Sequence, residues 1–370
     1  MRQTPLYDEC RALGAKFVDF HGWTLPVQFT GILQEHEHTR AKVSLFDCSH
    51  MGEFMVRGED ALRAVDRLLF CDTRGLPVGK CRYGAILNES GGIIDDALAM
   101  RLSDEELYIV TNAGPLELVS RVLQEACPTR TDSSDKSDRS DTSDVSDLSD
   151  ATAKIDVQGP LAREVLMKLG FAAIARLKYY HVCRTKWSGA EITISRAGYT
   201  GELGYELFIP NDIAPSLWRA LLAVDGVRPA GLGARDTLRL EVGYPLSGQD
   251  FDESRTPLEA NLGRFVGWDK SFVGKEPLVA QRAAGGYPLL TPIRTPDRRA
   301  PRHGFEVRSG DEVVGAVTSG TFGPSVGHGI GLAYLRADAA ALGTQLLAGP
   351  KALPVETVAA PFYTKGTCRI

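Results

Sequence analysis

A glycine turn between two apolar stretches constrains the fold of this chain more than any other feature of its sequence. The apolar run 83–87 leads into the turn 88–92, and an apolar pattern that includes Asp95 and Asp96 resumes over 93–100. Glycine adopts positive φ without a Cβ clash, so this pattern predicts a β-hairpin. Neighbouring strand residues point to opposite faces, so only one of the two carboxylates can enter a pocket. The pattern alone leaves open whether that carboxylate is catalytic or belongs to a solvated strand start.

The order of strand-like and helix-like segments predicts an α+β fold. Residues 53–126 follow the order strand, helix, strands, helix, which is typical of a split βαβ unit on an antiparallel sheet. A second unit of this kind is expected over 153–224, with the N-terminal segment added to it. After residue 278 short strands alternate with turns, which predicts a small antiparallel β-barrel. A chain of 370 residues is long enough for these three domains.

A Ser/Asp repeat interrupts the chain at residues 131–150. Aspartate recurs at every third position from Asp132 to Asp150, and this period fits neither a helix nor a half-buried strand. We therefore expect a disordered linker, and a kinase target or a weak calcium site remains open as its role. Seven aspartates against two basic residues in this stretch account for the net charge of −5. The rest of the chain is near neutral, which argues against a nucleic-acid partner.

Several other classes of protein are excluded by what the sequence lacks. It has no apolar run of roughly 18 residues, so we expect no membrane-spanning helix. The seven cysteines are scattered without a Cys-x-x-Cys pair, so we expect reduced thiols and no zinc site. His36 and His38 lie two apart on a predicted helix and do not face each other. Neither a P-loop nor a Gly-x-Gly-x-x-Gly fingerprint occurs, so no nucleotide cofactor is expected.

The N-terminus carries neither an apolar signal core nor an Arg- and Ser-rich transit pattern. We therefore expect a cytoplasmic location, or the mitochondrial matrix only if this is a processed chain.

Five motifs, taken in their order, resemble those of the T-protein of the glycine cleavage system, the tetrahydrofolate-dependent aminomethyltransferase. The resemblance begins at about Thr4 and reaches the C-terminal segment, and the Ser/Asp repeat is its main departure. The motifs are Val18-Asp19-Phe20-His21-Gly22-Trp23, Leu45-Phe46-Asp47-Cys48-Ser49-His50-Met51-Gly52, the hairpin with Gly91-Gly92-Ile93-Ile94-Asp95-Asp96, Gly198-Tyr199-Thr200-Gly201-Glu202-Leu203-Gly204-Tyr205-Glu206, and Gly231-Leu232-Gly233-Ala234-Arg235-Asp236-Thr237-Leu238-Arg239-Leu240-Glu241.

The resemblance implies a three-domain T-protein-like fold, with two split-βαβ (ferredoxin-like) units and a C-terminal antiparallel β-barrel. Residues 1–48 and 152–275 are expected to form a discontinuous folate-binding domain. Residues 49–130 form the second α+β domain, 131–151 the disordered linker and 276–370 the barrel domain.

The resemblance also implies a reaction. The enzyme would transfer the methylene carbon of aminomethyl-dihydrolipoyl H-protein to tetrahydrofolate, releasing ammonia and forming 5,10-methylenetetrahydrofolate. Tetrahydrofolate is then a co-substrate and the lipoylated H-protein a transient partner, with no metal, nucleotide cofactor, nucleic acid or membrane involved.

The site residues follow from the same resemblance. Tyr199 and Glu206 fall on folate-contacting positions, and one carboxylate can accept the exocyclic amine and a ring N–H of a pterin together. Arg235 is expected to hold the pterin carbonyl. Asp95 is expected to enter the pocket, orient the folate amines and take a proton. Further pocket residues are expected at Tyr83, Met51, Asn112 and Tyr363.

Two other functions remain open at this point. A folate-dependent demethylase of the same fold usually has a flavin domain beside it, and this chain shows none. A non-catalytic folate-binding scaffold for iron–sulfur assembly carries a cysteine motif where residues 261–270 here have no cysteine. Within the enzyme hypothesis, His50 and His21 are alternative general bases.

Overall fold

The computed structural model describes residues 1–127 and 144–370. Residues 1–127 contain four α-helices and seven strands. They are α1 (Tyr7–Ala12), β1 (Lys16–Phe20), β2 (Trp23–Gln28), α2 (Ile32–Ala41), β3 (Val43–Asp47), β4 (Gly52–Arg57), α3 (Glu59–Leu68), β5 (Cys81–Leu87), β6 (Ile93–Arg101), β7 (Glu106–Thr111) and α4 (Leu116–Ala126).

Residues 144–370 contain four further α-helices and twelve strands. They are β8 (Asp144–Asp147), β9 (Thr152–Gln158), α5 (Ala162–Lys168), β10 (Val182–Trp187), β11 (Ala190–Ser195), β12 (Gly204–Pro210), α6 (Ala214–Leu222), β13 (Val227–Pro229), α7 (Leu232–Glu241), α8 (Lys275–Ala284), β14 (Leu289–Arg294), β15 (Glu306–Ser309), β16 (Glu312–Phe322), β17 (Gly329–Leu335), β18 (Gln345–Ala348) and β19 (Leu353–Thr357).

The first sheet is antiparallel and has the strand order β5-β6-β7-β4-β8. Helices α3 and α4 pack on one of its faces. Helix α3 buries Ala61, Leu62, Val65 and Leu68, which lie on one stripe at helical spacing. Its first turn carries Glu59 and Asp60, whose charges favour the N-terminal end of a helix.

Part of the Ser/Asp repeat belongs to this sheet, which corrects the expectation of a linker there. Strand β8 pairs with the outer edge of β4, and Val145 packs against the core of the first sheet. The Ser149 hydroxyl also accepts a hydrogen bond from the Glu53 amide at 3.0 Å. One apolar side chain and a free strand edge are therefore enough to order this end of the repeat. The expected disorder was wrong for residues 144–150, and 128–143 lie outside the described residues.

The second sheet has the order β10-β11-β12-β9-β3-β13. Its strands pair antiparallel except for β13, which runs parallel to β3. The N-terminal segment supplies β3, as expected. The two sheets contact each other through an apolar layer that includes Met55, Tyr108 and Val110 of the first sheet and Val182 and Phe208 of the second.

The segment that follows α7 packs with the first sheet. Phe251, Leu262, Phe272 and Leu278 are buried in the core that α3 and α4 cover. The expected domain boundaries placed this segment, up to residue 275, in the folate-binding domain. The structure shows that the segment packs with the first sheet instead.

The C-terminal strands close into a barrel with the order β14-β17-β16-β15-β18-β19. Its interior is filled by small and branched side chains, among them Ile293, Val307, Val317, Leu335 and Val355. The α+β class with a C-terminal antiparallel barrel is thus confirmed. None of the helices in residues 1–127 and 144–370 has the length and hydropathy that a membrane span requires.

Candidate active site

A cavity of about 1900 Å³ lies where the two sheets and the barrel meet. Its wall includes Asp96 from the first sheet, Glu206 from the second and Leu332 from the barrel. Binding sites commonly form in such clefts between domains, where a few polar groups converge on an otherwise apolar wall.

The structure places Asp96 in the wall of this cavity and Asp95 behind it. Asp95 is fully buried and does not line the cavity. It accepts hydrogen bonds from the Asn112 amide (2.7 Å), Asn112 Nδ2 (2.8 Å) and Ser247 Oγ (2.7 Å). The expectation that Asp95 faces the pocket was therefore wrong.

A β-bulge causes this change of face. Strands β5 and β6 change register next to the turn, with Ile94 as the extra residue of β6. Tyr83 consequently pairs with Leu98 and shares a face with Asp96. Without the extra residue the register would move by one, and Asp95 would share the face of Tyr83 instead.

The two carboxyl groups form one proton-holding unit. The Tyr83 hydroxyl donates to Asp96 Oδ2 at 2.9 Å, and Asn112 Nδ2 donates to Asp96 Oδ1 at 2.5 Å. Burial raises the pKa of Asp96, against the effect of these two hydrogen bonds. Burial, and then repulsion from Asp96, raises the pKa of Asp95 to about 7. Because the two carboxyl groups interact, their titration belongs to the pair rather than to either residue.

Strand register brings a cluster of charged and polar side chains together around Glu206. Glu206 pairs with Ser195 on β11 and with Asp156 on β9, so these side chains form a row on one face. Ser195 Oγ donates to Glu206 Oε2 at 2.8 Å. Lys154 Nζ contacts Glu206 Oε1 at 2.9 Å and Asp156 Oδ1 at 2.5 Å. Arg235 Nη1 lies 2.8 Å from Asp156 Oδ2 and completes an alternating row of charges.

The pKa values of Lys154 and Asp156 in this row favour their charged forms although both side chains are buried. Burial works against the charge on Lys154, but Asp156 and Glu206 outweigh it and raise the pKa of the ammonium. Burial likewise opposes the charge on Asp156, yet Lys154 and Arg235 hold its pKa below the usual value. Two cations balance two anions, which is the condition under which buried charges are tolerated.

The glycines ahead of Arg235 fix its position. Helix α7 begins directly after Gly231, whose amide donates to Glu35 Oε2 at 2.8 Å. A Cβ at Gly231 would lie 2.4 Å from the carbonyl carbon of Val27, so only glycine allows this close approach. The start of α7 therefore packs closely against β2. Arg235, in the first turn of α7, lines the cavity.

Tyrosines form a flat slot beside Arg235. The Arg235 guanidinium carbon lies 5.1 Å from the centroid of the Tyr199 ring. The Tyr199 ring lies nearly parallel to that of Tyr244, at 5.9 Å and 25°. The Tyr199 hydroxyl donates to the Pro245 carbonyl oxygen at 2.5 Å, which fixes the ring. This geometry suits a planar, polar ring system.

The remaining expected residues also line the cavity. Met51 and Asn112 belong to the walls on the side of the sheets, and Tyr363 comes from the segment that follows the barrel. The Tyr363 ring lies 4.1 Å from the guanidinium carbon of Arg40. The cavity therefore brings together every expected site residue except Asp95.

His50 fits the role of general base poorly. His21 and His50 both line the cavity. Burial, followed by the charges of Arg235 and Lys154, lowers the pKa of His50 to about 3. Its imidazole is therefore neutral at pH 7 and has little affinity for a proton.

Sequence reasoning missed Asp96, Lys154, Asp156 and Ser247. Lys154 and Asp156 alternate on a predicted strand, so their shared face was a signal that the sequence offered. Ser247 gave no such signal, because its contact with Asp95 spans 152 residues of chain. In residues 1–127 and 144–370, no three His, Cys, Asp or Glu residues lie close enough together to hold a metal ion.

Known families account for almost the whole chain. Residues 6–270 match the GCVT N-terminal domain, and residues 290–364 match the Glycine cleavage T-protein C-terminal barrel domain. The chain belongs to the glycine cleavage T-protein family, as its motifs indicated.

Relatives cover the chain from end to end. An aminomethyltransferase of Saccharopolyspora erythraea is 42% identical, over 98% of this chain and 98% of the relative. One of Rubrobacter xylanophilus is 41% identical, over 99% and 95%. The crystal structure of the glycine cleavage system aminomethyltransferase T from Bartonella henselae superposes with a TM-score of 0.90 at 30% identity, covering 99% of each chain.

Proposed function

We propose that this chain is an enzyme that transfers the methylene carbon of aminomethyl-dihydrolipoyl H-protein to tetrahydrofolate. The reaction releases ammonia and leaves dihydrolipoyl H-protein and 5,10-methylenetetrahydrofolate. The observation that supports it most is that Asp96, Glu206 and Arg235 line one cavity, while Asn112 joins Asp96 to the buried Asp95 and Lys154 and Asp156 link Glu206 to Arg235. The names of the two relatives favour this reaction over the demethylase and scaffold alternatives.

Glu206 and Arg235 bind the pterin ring in this proposal. Glu206 accepts the exocyclic amine and the adjacent ring N–H, and Lys154 and Ser195 hold its two oxygens in place for that purpose. Arg235 binds the pterin carbonyl, while Tyr199 covers a face of the ring.

Asp96 acts on the reacting amines. N5 of the folate attacks the methylene carbon as ammonia leaves with the N5 proton. N10 then attacks the same carbon and loses a proton, and the bond from this carbon to the lipoyl sulfur breaks, which leaves a thiolate that takes up a proton to give the dihydrolipoyl arm. Asp96 orients the two amines and accepts the proton from N10, and Tyr83 and Asn112 fix the carboxylate. Holding the two reactants in line supplies much of the rate by itself. Asp95 is a positioning residue, because it touches Asn112 and Ser247 rather than the cavity.

The partners follow from this reaction. Tetrahydrofolate is a co-substrate, and the lipoylated H-protein brings the second substrate into the cavity on its arm. The cytoplasmic location expected from the sequence stays a prediction.

Ammonia release tests the proposal. Purified chain is mixed with aminomethyl-loaded H-protein, with and without tetrahydrofolate, and ammonia is measured over time. We expect fast release only when all three components are present. Release at the same rate without tetrahydrofolate would contradict the proposed function.

A further inference from the structure

A segment without helix or strand crosses the cavity after the barrel ends. Residues 363–369, which we call the strap, contain no regular secondary structure. Tyr363, Gly366 and Cys368 of the strap line the cavity, and Lys365 is exposed. Because the strap forms no hydrogen-bond ladder of its own, its position depends on contacts with other parts of the chain.

Thr367 holds the strap against the turn that joins β11 to β12. The Thr367 hydroxyl donates to Glu202 Oε2 at 2.6 Å, and the Thr367 amide donates to the same oxygen at 3.1 Å. The hydroxyl also accepts a hydrogen bond from the Leu203 amide at 2.8 Å. A Cβ at Gly366 would lie 2.4 Å from the carbonyl oxygen of Gly201, so the strap and the turn are in close backbone contact here.

Arg40 of α2 holds the other oxygen of Glu202. Its Nη1 donates to Glu202 Oε1 at 2.9 Å and to the Thr200 carbonyl oxygen at 2.6 Å. Its Nη2 donates to Glu241 Oε2 at 2.8 Å, and the Tyr363 ring packs over its guanidinium. The side chains of Arg40 and Glu202 are 8% and 1% exposed. Both oxygens of a buried carboxylate are therefore occupied by donors, which fixes the turn and the strap relative to each other.

These contacts act on the cavity through other residues. Arg40, Glu202 and Thr367 do not line the cavity themselves. The turn that they hold carries Tyr199, whose ring forms part of the tyrosine slot, and the strap carries Tyr363. A ligand in the slot is therefore enclosed for as long as the strap stays bound to the turn.

We propose that Arg40, Glu202 and Thr367 are positioning residues that bind the strap to the β11–β12 turn and thereby control how fast folate enters and leaves the cavity. The inference rests on the proposed function, because it requires the pterin ring in the slot beside Tyr199. The strap opens when Thr367 separates from Glu202, and folate exchanges with solvent in that state. The same opening admits and releases folate, so these contacts set both rates and leave the affinity nearly unchanged.

The magnitude follows from the hydroxyl of Thr367. Thr367→Val keeps the shape of the side chain but removes the donor to Glu202 and the acceptor of the Leu203 amide. A hydrogen bond to a charged group shifts an equilibrium by about tenfold or more. We therefore expect the association and dissociation rates of folate to rise by about tenfold together in Thr367→Val. Thr367→Ser keeps the hydroxyl and should stay within about twofold of wild type.

Stopped-flow measurements with tetrahydrofolate test the inference. Association and dissociation rates are measured for wild type, Thr367→Val and Thr367→Ser. Thr30→Val is the matched control, because Thr30 is exposed and does not line the cavity. Glu202→Gln is a second variant, which keeps an acceptor but loses the charge, and it should raise both rates by a smaller factor than Thr367→Val.

Limited digestion with trypsin measures the opening of the strap without a ligand. Cleavage requires a segment to leave its place, so the cleavage rate follows the fraction of open molecules when opening is fast. We expect cleavage after Lys365 to be about tenfold faster in Thr367→Val than in wild type. Cleavage after Lys351, in the exposed turn between β18 and β19, should be the same in both proteins.

Each other outcome counts against the inference in a distinct way. Unchanged folate rates and unchanged cleavage after Lys365 in Thr367→Val overturn it. Faster dissociation with an unchanged association rate shows that Thr367 supports affinity rather than exchange. Lower thermal stability with unchanged folate rates assigns Thr367 a structural role. Equal effects of the valine and serine variants show that the hydroxyl is not responsible. Absence of folate binding by wild type overturns the proposed function as well.

Discussion

Asp96→Asn is expected to lower turnover, whereas Asp95→Asn is expected to lower stability. Asp96 accepts one hydrogen bond on each oxygen, from Tyr83 and Asn112. Asparagine keeps one acceptor and loses the proton affinity. We expect turnover to fall by about 10²-fold or more, the scale of a lost general base. Folate affinity should change little, because the pterin clamp is untouched.

Asp95→Asn acts on stability and on the pH profile. Three donors point at the Asp95 carboxylate, so an amide NH₂ in its place must face at least one of them. We expect a loss of about 1–3 kcal/mol in the free energy of unfolding, the cost of one unsatisfied buried group. Turnover at high pH should stay within about tenfold of wild type, since Asp96 still accepts the proton.

The pH dependence has a definite sign. The pKa of both carboxyls is raised, so the pair carries a proton at low pH, and wild-type turnover should rise with pH as Asp96 loses its proton, above the usual range of a carboxylic acid. Removing the charge of Asp95 removes the repulsion, which should move this rise to lower pH. The same raised pKa means that the pair stabilises the fold below pH 4, and that this contribution is lost as pH rises towards 7.

Steady-state ammonia release between pH 5.5 and 9, with urea unfolding of each variant, tests these expectations. If Asp96→Asn keeps more than about one tenth of wild-type turnover, Asp96 is not the proton acceptor. If Asp95→Asn is the inactive variant while it stays folded and binds folate, the assignment of faces on β6 is wrong.

Three further substitutions test other parts of the structure. At 100 times Kd, tetrahydrofolate should stabilise wild type by about 2.7 kcal/mol in thermal unfolding; Glu206→Gln should lose most of this, and exposed Glu191→Gln none of it. Lys154→Met leaves two buried carboxylates with one cation, so urea unfolding at pH 7 should show a loss of about 3–5 kcal/mol in the free energy of unfolding. The loss should be smaller at pH 5, where a proton on a carboxylate can replace the ammonium. An equal loss at both pH values would contradict this explanation. Val145→Asp should lower the free energy of unfolding by about 1–2 kcal/mol, because Val145 of β8 packs on the first sheet. The matched change Val313→Asp, at an exposed position, should leave stability unchanged. Equal losses of stability in the two variants would contradict the packing of β8 on this sheet.

The glycine hairpin shows which features of the fold can be predicted from the sequence and which cannot. The turn and the two strands were predictable from local pattern, and the family resemblance implied that one carboxylate enters the pocket. The bulge was not, because distant backbone holds it. The Ile93 amide donates to the Arg255 carbonyl at 2.9 Å, and a Cβ at Gly92 would lie 1.9 Å from the Glu253 carbonyl oxygen. These two contacts span about 160 residues of chain, and they hold the bulge that decides which aspartate enters the cavity.

The Ser/Asp repeat shows a different limit. Its composition predicts that little of it can be buried, yet residues 144–147 form an edge strand. The free edge of β4 offers unpaired backbone groups, and backbone pairing does not depend on composition. Of the charge row around Glu206, the sequence offered only the shared face of Lys154 and Asp156 as a signal. The row joins four residues of β9, β12 and α7, and only strand register shows that they meet.

Following the carbon atom tests the central claim most directly. H-protein is loaded with an aminomethyl group labelled with ¹³C, mixed with this chain and tetrahydrofolate, and followed by ¹³C NMR. The label should move to the methylene group that bridges N5 and N10 of the folate as ammonia appears, and it should stay on H-protein with Asp96→Asn. Label that remains on H-protein with wild type, or that is released as formaldehyde while the chain binds folate, would contradict the proposed transfer.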